Sequence, residues 1–225
     1  NVETKLGRNV NIGLNLSATS MKKNDSEGDS NGGPVSRSTR VAPIVGIDQQ
    51  TQRGGFYPYH AAFYLNPLVY ASELTNKIDN INLRANLYAV VRLAENLKFR
   101  TSFGGGYNNN YTQYFIPDNI NRGRGHRGTT GATARQNILN ENTLSYDLAK
   151  EDWTLNALAG FTYQEDKLLS NFLEKSGFPD DEITTLNVGT ILNSGTSTET
   201  QWRLMSFLTR VNASWKDMYM FSASI

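Results

Sequence analysis

Few residues in this chain are of the kinds that do covalent or metal chemistry. There is no cysteine among its 225 residues, and His60 and His126 are its only histidines. Without cysteine, disulfides and thiolate metal sites are excluded, and the two histidines stand far apart with no ligand-type partner at a metal-binding spacing. The run Asp180-Asp181-Glu182 has the residue types of acid–base hydrolysis. A short carboxylate run of this kind reads as a solvated loop. Gly104-Gly105-Gly106 and the segment NRGRGHRGTTG at 121–131 have the glycine content of a phosphate cradle. Neither ends in Gly-Lys-Ser/Thr or joins a strand to a helix. They read as bare backbone on an inner wall and as an exposed loop tip. No catalytic residue, metal ligand or cofactor is expected, and the chain does not read as an enzyme.

Two sets of residues could instead hold a ligand without reacting with it. Tyr57, Tyr59, Tyr107, Tyr111 and Tyr114 are candidate cargo contacts, because aromatic faces stack on sugar rings or grip peptides. Packing within loops is the plainer use of the same rings. Arg84, Arg92, Lys98, Arg100 and Arg210 share one parity of alternating segments. They are candidate cations on an interior wall, where they would draw anionic cargo. Pairing with Glu141 and Asp147 on neighbouring strands is the plainer reading. The net charge of +1 gives no nucleic-acid footprint.

The elements that would position these residues are strands. From Val10 to Ala18 an apolar residue falls at every even position, opposite Asn11, Gly13, Asn15 and Ser17. From Ile81 to Leu93 the apolar set is Ile81, Leu83, Ala85, Leu87, Ala89, Val91 and Leu93. Its opposite face is polar, with Val90 the exception. Leu97, Phe99, Thr101, Phe103 and Tyr107 continue the pattern. So do Leu144, Tyr146 and Leu148, then Trp153 to Tyr163, then Met205 to Trp215, and finally Tyr219 to Ile225. Leu204 and Leu208 interrupt the polar face of the Met205–Trp215 strand.

Connections alternate in length. Short turns are expected near 6–9, 94–96, 149–152 and 216–217, and long loops near 23–77, 116–135 and 168–199. Residues 23–40 read as a mobile, Gly-rich loop, and Pro67 with Asn66 as cap predicts a short helix within 66–74. Several unstructured loops of this length are rare in soluble domains. They are ordinary in outer-membrane barrels, where short turns face the periplasm and long loops face outward. Tyr146, Trp153, Trp215 and Tyr219 lie on the apolar parity within a few residues of a short turn, where an aromatic belt is expected. The mean hydropathy of −0.49 fits, because a barrel strand hides its apolar residues at alternate positions. These observations predict an all-β, antiparallel transmembrane barrel segment of seven to eight strands. Both ends of the chain read as cut within strands of a longer polypeptide.

The segment from Ser206 to Ser224, SFLTRVNASWKDMYMFSAS, resembles a hairpin of SusC-like TonB-dependent transporters, outer-membrane proteins of Bacteroidetes. The Asn66-Pro67 segment, the Gly13–Ser17 strand and the passage from Asn140–Tyr146 into Trp153–Gln164 are similar to that family too. Ala213 stands where the family usually has Tyr, and Met218 where it usually has Lys. The resemblance implies a barrel of about 22 strands with a plugged lumen, of which residues 1–225 would be a middle portion. The plug domain and the TonB-binding box would lie outside these residues. It also implies a SusD-like surface lipoprotein as lid, oligosaccharide or peptide cargo, and energy from the TonB complex. Two other readings share the alternation: a soluble all-β glycan-binding module on the cell surface, and a passive porin or adhesin barrel.

Overall fold

The computed structural model describes residues 1–25, 33–39, 67–118, 120–121, 123–216 and 218–225. Eight strands form one antiparallel sheet in strict sequence order, each bonded to the next. They are β1 (Val2–Leu6), β2 (Val10–Asn24), β3 (Thr75–Ala94), β4 (Leu97–Ile116), β5 (Arg127–Lys150), β6 (Trp153–Ser176), β7 (Ile191–Trp215) and β8 (Tyr219–Ser224). The meander follows from the turn chemistry. Gly7 and Lys216 take left-handed backbone conformations, with φ of 67° and 52°, where β1 turns into β2 and β7 into β8.

The strands run longer than the alternation alone suggests. Residues 127–135 and 168–176, and 191–199, are strand rather than loop, so the connections at this end shrink to 117–126 and 177–190. The reason is physical. The outer portions 127–135 and 191–199 carry mostly small or polar residues on both faces, and 168–176 carries apolar residues on both (Leu168 and Phe172 on one, Leu169 and Leu173 on the other), so the period-two signal is lost while the hydrogen-bond ladder stays intact. Residues Thr19 to Asn24 extend β2 in the same way, opposite Asn82 to Lys77.

Two short helices stand at the same end. Pro67–Glu73 is the expected helix, although Asn66 lies outside the described residues, and Pro34–Ser38 forms a helical turn inside the stretch read as loop. The sheet has no central core: at band height its large apolar side chains are half-buried or exposed, and none is buried. Among the described residues the buried large apolar ones are Tyr70, Leu74, Phe115, Ile120 and Phe178, all at the outer ends of the strands. Tyr70 and Leu74 pack with Ile120, Tyr114 and Ile116 on one side of β4. On the other side Phe115, 1% exposed, meets Phe178 edge-on at 5.1 Å and stacks on His126 at 6.1 Å. His126 is also paired with Asp181, which ties the 177–190 connection to the start of β5.

Candidate functional site

The register divides every side chain of the sheet between two faces, and each face has its own chemistry. Residues directly opposite across a ladder share a face. One such row runs Val10, Val91, Phe99, Leu144, Ala159. On this face each strand carries an apolar run of about the same length. It spans Val10 to Ala18 on β2, Leu97 to Tyr107 on β4, Ile138 to Leu148 on β5, Trp153 to Tyr163 on β6 and Met205 to Trp215 on β7, interrupted by Thr101, Asn140, Asn142 and Thr209. Beyond it the same face turns polar: Ser20, Asn109, Gln136, Glu165 and Arg203 are the next residues outward. Large side chains in the run are open to the surroundings, with Leu16 66%, Phe103 56% and Phe207 80% exposed.

Both edges of this band slant together. Val10, at the start of β2, shares its row with Ala159, six residues past the start of β6, whereas Tyr219 on β8 shares its row with Trp153. Across β2 to β8 the slant is about one residue per strand. With strands about 4.8 Å apart and about 3.4 Å per residue, that slant means strands tilted roughly 35° from the band's normal. Ten residues at that tilt make a band roughly 27 Å tall. A bilayer-spanning barrel needs tilts of about 35–45° and an apolar band about 25 Å tall.

Aromatic rings mark the edge beside the short turns. Trp153 stacks on Trp215 at 5.9 Å, and Trp215 on Tyr219 at 5.6 Å. The opposite edge is polar and bonded. Tyr163 donates to Glu165 at 2.5 Å, Arg203 pairs with Glu165 at 3.2 Å, and Lys167 pairs with Glu199 at 2.7 Å.

The other face is polar at band height, and all five cations singled out from the sequence stand on it. Arg92 is opposite Lys98, Arg100 opposite Thr143, Arg84 opposite Gly106 and Arg210 opposite Leu158. Their partners are mixed. Lys98 reaches Asp147 at 3.6 Å, the pairing expected from sequence. Arg100 lies over the Tyr88 ring at 5.3 Å, and that ring covers Gly13, where a Cβ would collide with it. Glu141 accepts from the Ser102 hydroxyl at 3.3 Å. Arg135 pairs with Asp166 at 2.8 Å, a buried carboxylate that sequence reading did not single out. Their opposite parities on β5 and β6 were the available signal, but it needed the register to be read.

These groups border a groove of about 630 Å³ lined by Arg84, Ser102, Arg135, Asn137, Glu141 and Asp166, among others. The glycine run Gly104–Gly106 forms part of the same groove. The Asn137 amide lies over Gly106, and a Cβ there would have to push it aside. The groove can offer hydrogen bonds and charge of both signs, and no step of covalent chemistry is evident in it. Among the described residues no cluster of His, Asp and Glu could hold a metal ion.

The structure separates the tyrosines. Tyr107 and Tyr111 share the band face, Tyr107 at its outer edge, while Tyr114 takes the opposite face and packs toward Tyr70 and Leu74. Tyr57 and Tyr59 lie outside the described residues.

Comparison with known proteins gives the same picture. No protein-family model matches. The chain is 26% identical over 234 residues to TonB-dependent receptor P3 of Formosa agariphila, covering 99% of the chain and 23% of that protein. It is 30% identical over 168 residues to TonB-dependent receptor P39 of the same organism, covering 71% of the chain and 16% of that protein. The structure of the RagAB peptide transporter superposes over 99% of the chain with a TM-score of 0.76 at 15% identity. The RagAB peptide importer in its open–open state gives 0.77 at 18%. The chain is thus similar in sequence to a stretch of TonB-dependent receptors, and its fold is that of part of the RagAB barrel wall. It spans less than a quarter of the curated relatives it matches and 26% of the solved chains.

Proposed function

We propose that this SusC-like wall belongs to an outer-membrane importer that takes up nutrients by a TonB-dependent route, a transporter rather than an enzyme. The observation that carries the reading is the slanted apolar band, whose height and tilt fit a bilayer while the reverse face stays polar. The band face meets lipid and the polar face lines the lumen, with the 117–126 and 177–190 connections on the cell exterior. Residues 1–225 form part of one β-barrel domain. The remaining strands, the plug domain and the segment that TonB grips lie elsewhere in the polypeptide, consistent with relatives several times longer.

Cargo is an oligosaccharide or a peptide, held under a SusD-like surface lipoprotein. The similarity to RagAB, described as a peptide transporter, supports this pairing and this size of cargo. Arg84 and Arg135 in the groove, with Arg92, Lys98, Arg100 and Arg210 below, give the lumen its cationic contacts. Tyr114 is the described tyrosine on the lumen side. Tyr107 and Tyr111, on the outward face, suit the headgroup level better than cargo contact.

The test is fractionation of the full-length protein, followed by uptake measured with and without the TonB system. Recovery in detergent-extracted outer membrane, with uptake lost in the absence of TonB, is expected. Recovery in a salt wash would sink the membrane reading and favour the soluble glycan-binding alternative. Uptake that persists without TonB would leave a passive porin.

A further inference from the structure

The polar face is not one uniform surface. On β2–β4 its stretches 11–19, 80–86 and 102–110 carry asparagine, serine, threonine, glycine and Arg84, with no aliphatic or aromatic side chain among them. Asn15 stands opposite Asn86, and Asn86 opposite the bare backbone of Gly104. Further out, Asn82 stands opposite Asn108, and Asn80 accepts from the Asn108 amide and donates to Asn110, each at 3.5 Å. A file of amides therefore runs from the outer end of the wall down to the groove. A side chain starting at Gly104 would meet no atom nearer than 3.8 Å, so the groove floor is open there. Across the groove the indole of Trp202, 46% exposed, lines the other side.

The charges of this face do not balance. Asp147, Asp166 and Glu174 are each taken by an ion pair, with Lys98, Arg135 and Arg127. Arg84, Arg92, Arg100 and Arg210 have no carboxylate within ion-pair reach among the described residues. Glu141, which accepts from the Ser102 hydroxyl, is the remaining carboxylate on this face of β2–β7 among the described residues. It lies in the Ser102 row, about 14 Å further in than the Arg84 row at about 3.4 Å per residue. Arg84, opposite Gly106 and lining the groove, thus stands as a cation amid neutral amides. A cleft lined by one sign of charge concentrates ions of the other.

We infer that the groove takes an acidic oligosaccharide, with its ionised group on Arg84 and its hydroxyls on the asparagines of β2–β4. A guanidinium presents paired N–H donors to the oxygens of a carboxylate or a sulfate. A primary amide sets a donor beside an acceptor, which matches neighbouring hydroxyls on a sugar ring. The indole offers a flat apolar face on which such a ring stacks. At Gly104 the absence of a side chain lets a ring lie directly against the wall. A peptide of mixed sequence brings apolar side chains, and this stretch of β2–β4 offers them no partner.

The inference rests on the importer reading above and narrows its cargo, and its test keeps the two apart. Full-length protein purified from the outer membrane in mild detergent is titrated with hexagalacturonate, a chondroitin sulfate hexasaccharide, maltohexaose and hexaglutamate. At least one acidic saccharide is expected to bind, more tightly than maltohexaose or hexaglutamate and more weakly as salt is raised. Hexagalacturonate carries carboxylates alone, so binding of the chondroitin sulfate only would assign the site to sulfate. Arg84→Gln is expected to weaken binding about tenfold, the worth of one charged hydrogen bond. Arg84→Lys is expected to weaken it less. Lys22→Gln, which removes a cation from the opposite face, is expected to leave it unchanged. Equal binding of maltohexaose, tighter binding of hexaglutamate, or no binding of either acidic saccharide overturns the inference and leaves the importer reading standing. Unchanged affinity in an Arg84→Gln variant that heat-modifiable gel mobility shows to be folded overturns it equally. The comparison of probes on the unaltered protein decides the matter even if that variant does not fold. Absence of the protein from the outer membrane overturns both readings.

Discussion

At Gly13 the missing side chain is what lets the Tyr88 ring lie over β2, with the Arg100 guanidinium 5.3 Å from the ring's centre. Replacing Gly13 by Val drives a branched side chain into that ring. The expected loss is about 1–3 kcal/mol, the usual range for overpacking, read as a lower midpoint of urea unfolding in lipid vesicles. The two faces can be tested against each other on adjacent rungs of the β6–β7 ladder. Phe161→Arg puts a charge into the apolar band beside Phe207, its ring partner at 5.2 Å, and is expected to cost about 2–4 kcal/mol by the same assay. Ser206→Arg, on the polar face, is expected to fold with little change. Equal losses for the two would contradict the assignment of faces. The face of each such residue was legible from parity alone. The Arg135–Asp166 pair was not, because the two residues are 31 positions apart and meet only once β5 and β6 are in register.

At the scale of the elements, the strand ends beyond the band are held by small packed clusters. Phe115 is the centre of one, held by Phe178 and His126. Phe115→Ala removes a fully buried ring, a change that typically costs about 3–5 kcal/mol. The expected readout is local: limited proteolysis within 177–190 speeds up while the band strands stay protected. Uniform cleavage across the sheet would count against a separate outer cluster. This division explains how much of the fold the sequence disclosed. Within the band, one face is apolar and the other polar, so Val10–Ala18 and Trp153–Tyr163 announce themselves. At Gly128–Arg135 and Ile191–Glu199 both faces are wet, no alternation is imposed, and strand looks like loop. The Pro34–Ser38 turn gave no amphipathic signal because it is barely one turn long.

For the molecule as a whole, the strands run well past the band at one end and stop close to it at the other. Labelling of intact cells with a membrane-impermeant maleimide is expected to modify Asn171→Cys, beyond the outer edge, but not Asn156→Cys, near the short turns, until the cells are permeabilised. Labelling in the reverse order would invert the orientation. The slant of about one residue per strand has a consequence for size. In a barrel of the 22 strands that the family resemblance implies, strands tilted roughly 35° at about 4.8 Å spacing enclose a cylinder roughly 40 Å across, measured between backbones. A folded domain of about 100 residues has a radius of gyration near 13 Å. A wall with this stagger therefore closes around a space wide enough to house a whole globular domain, and whatever blocks such a channel must itself be a folded body rather than a single loop.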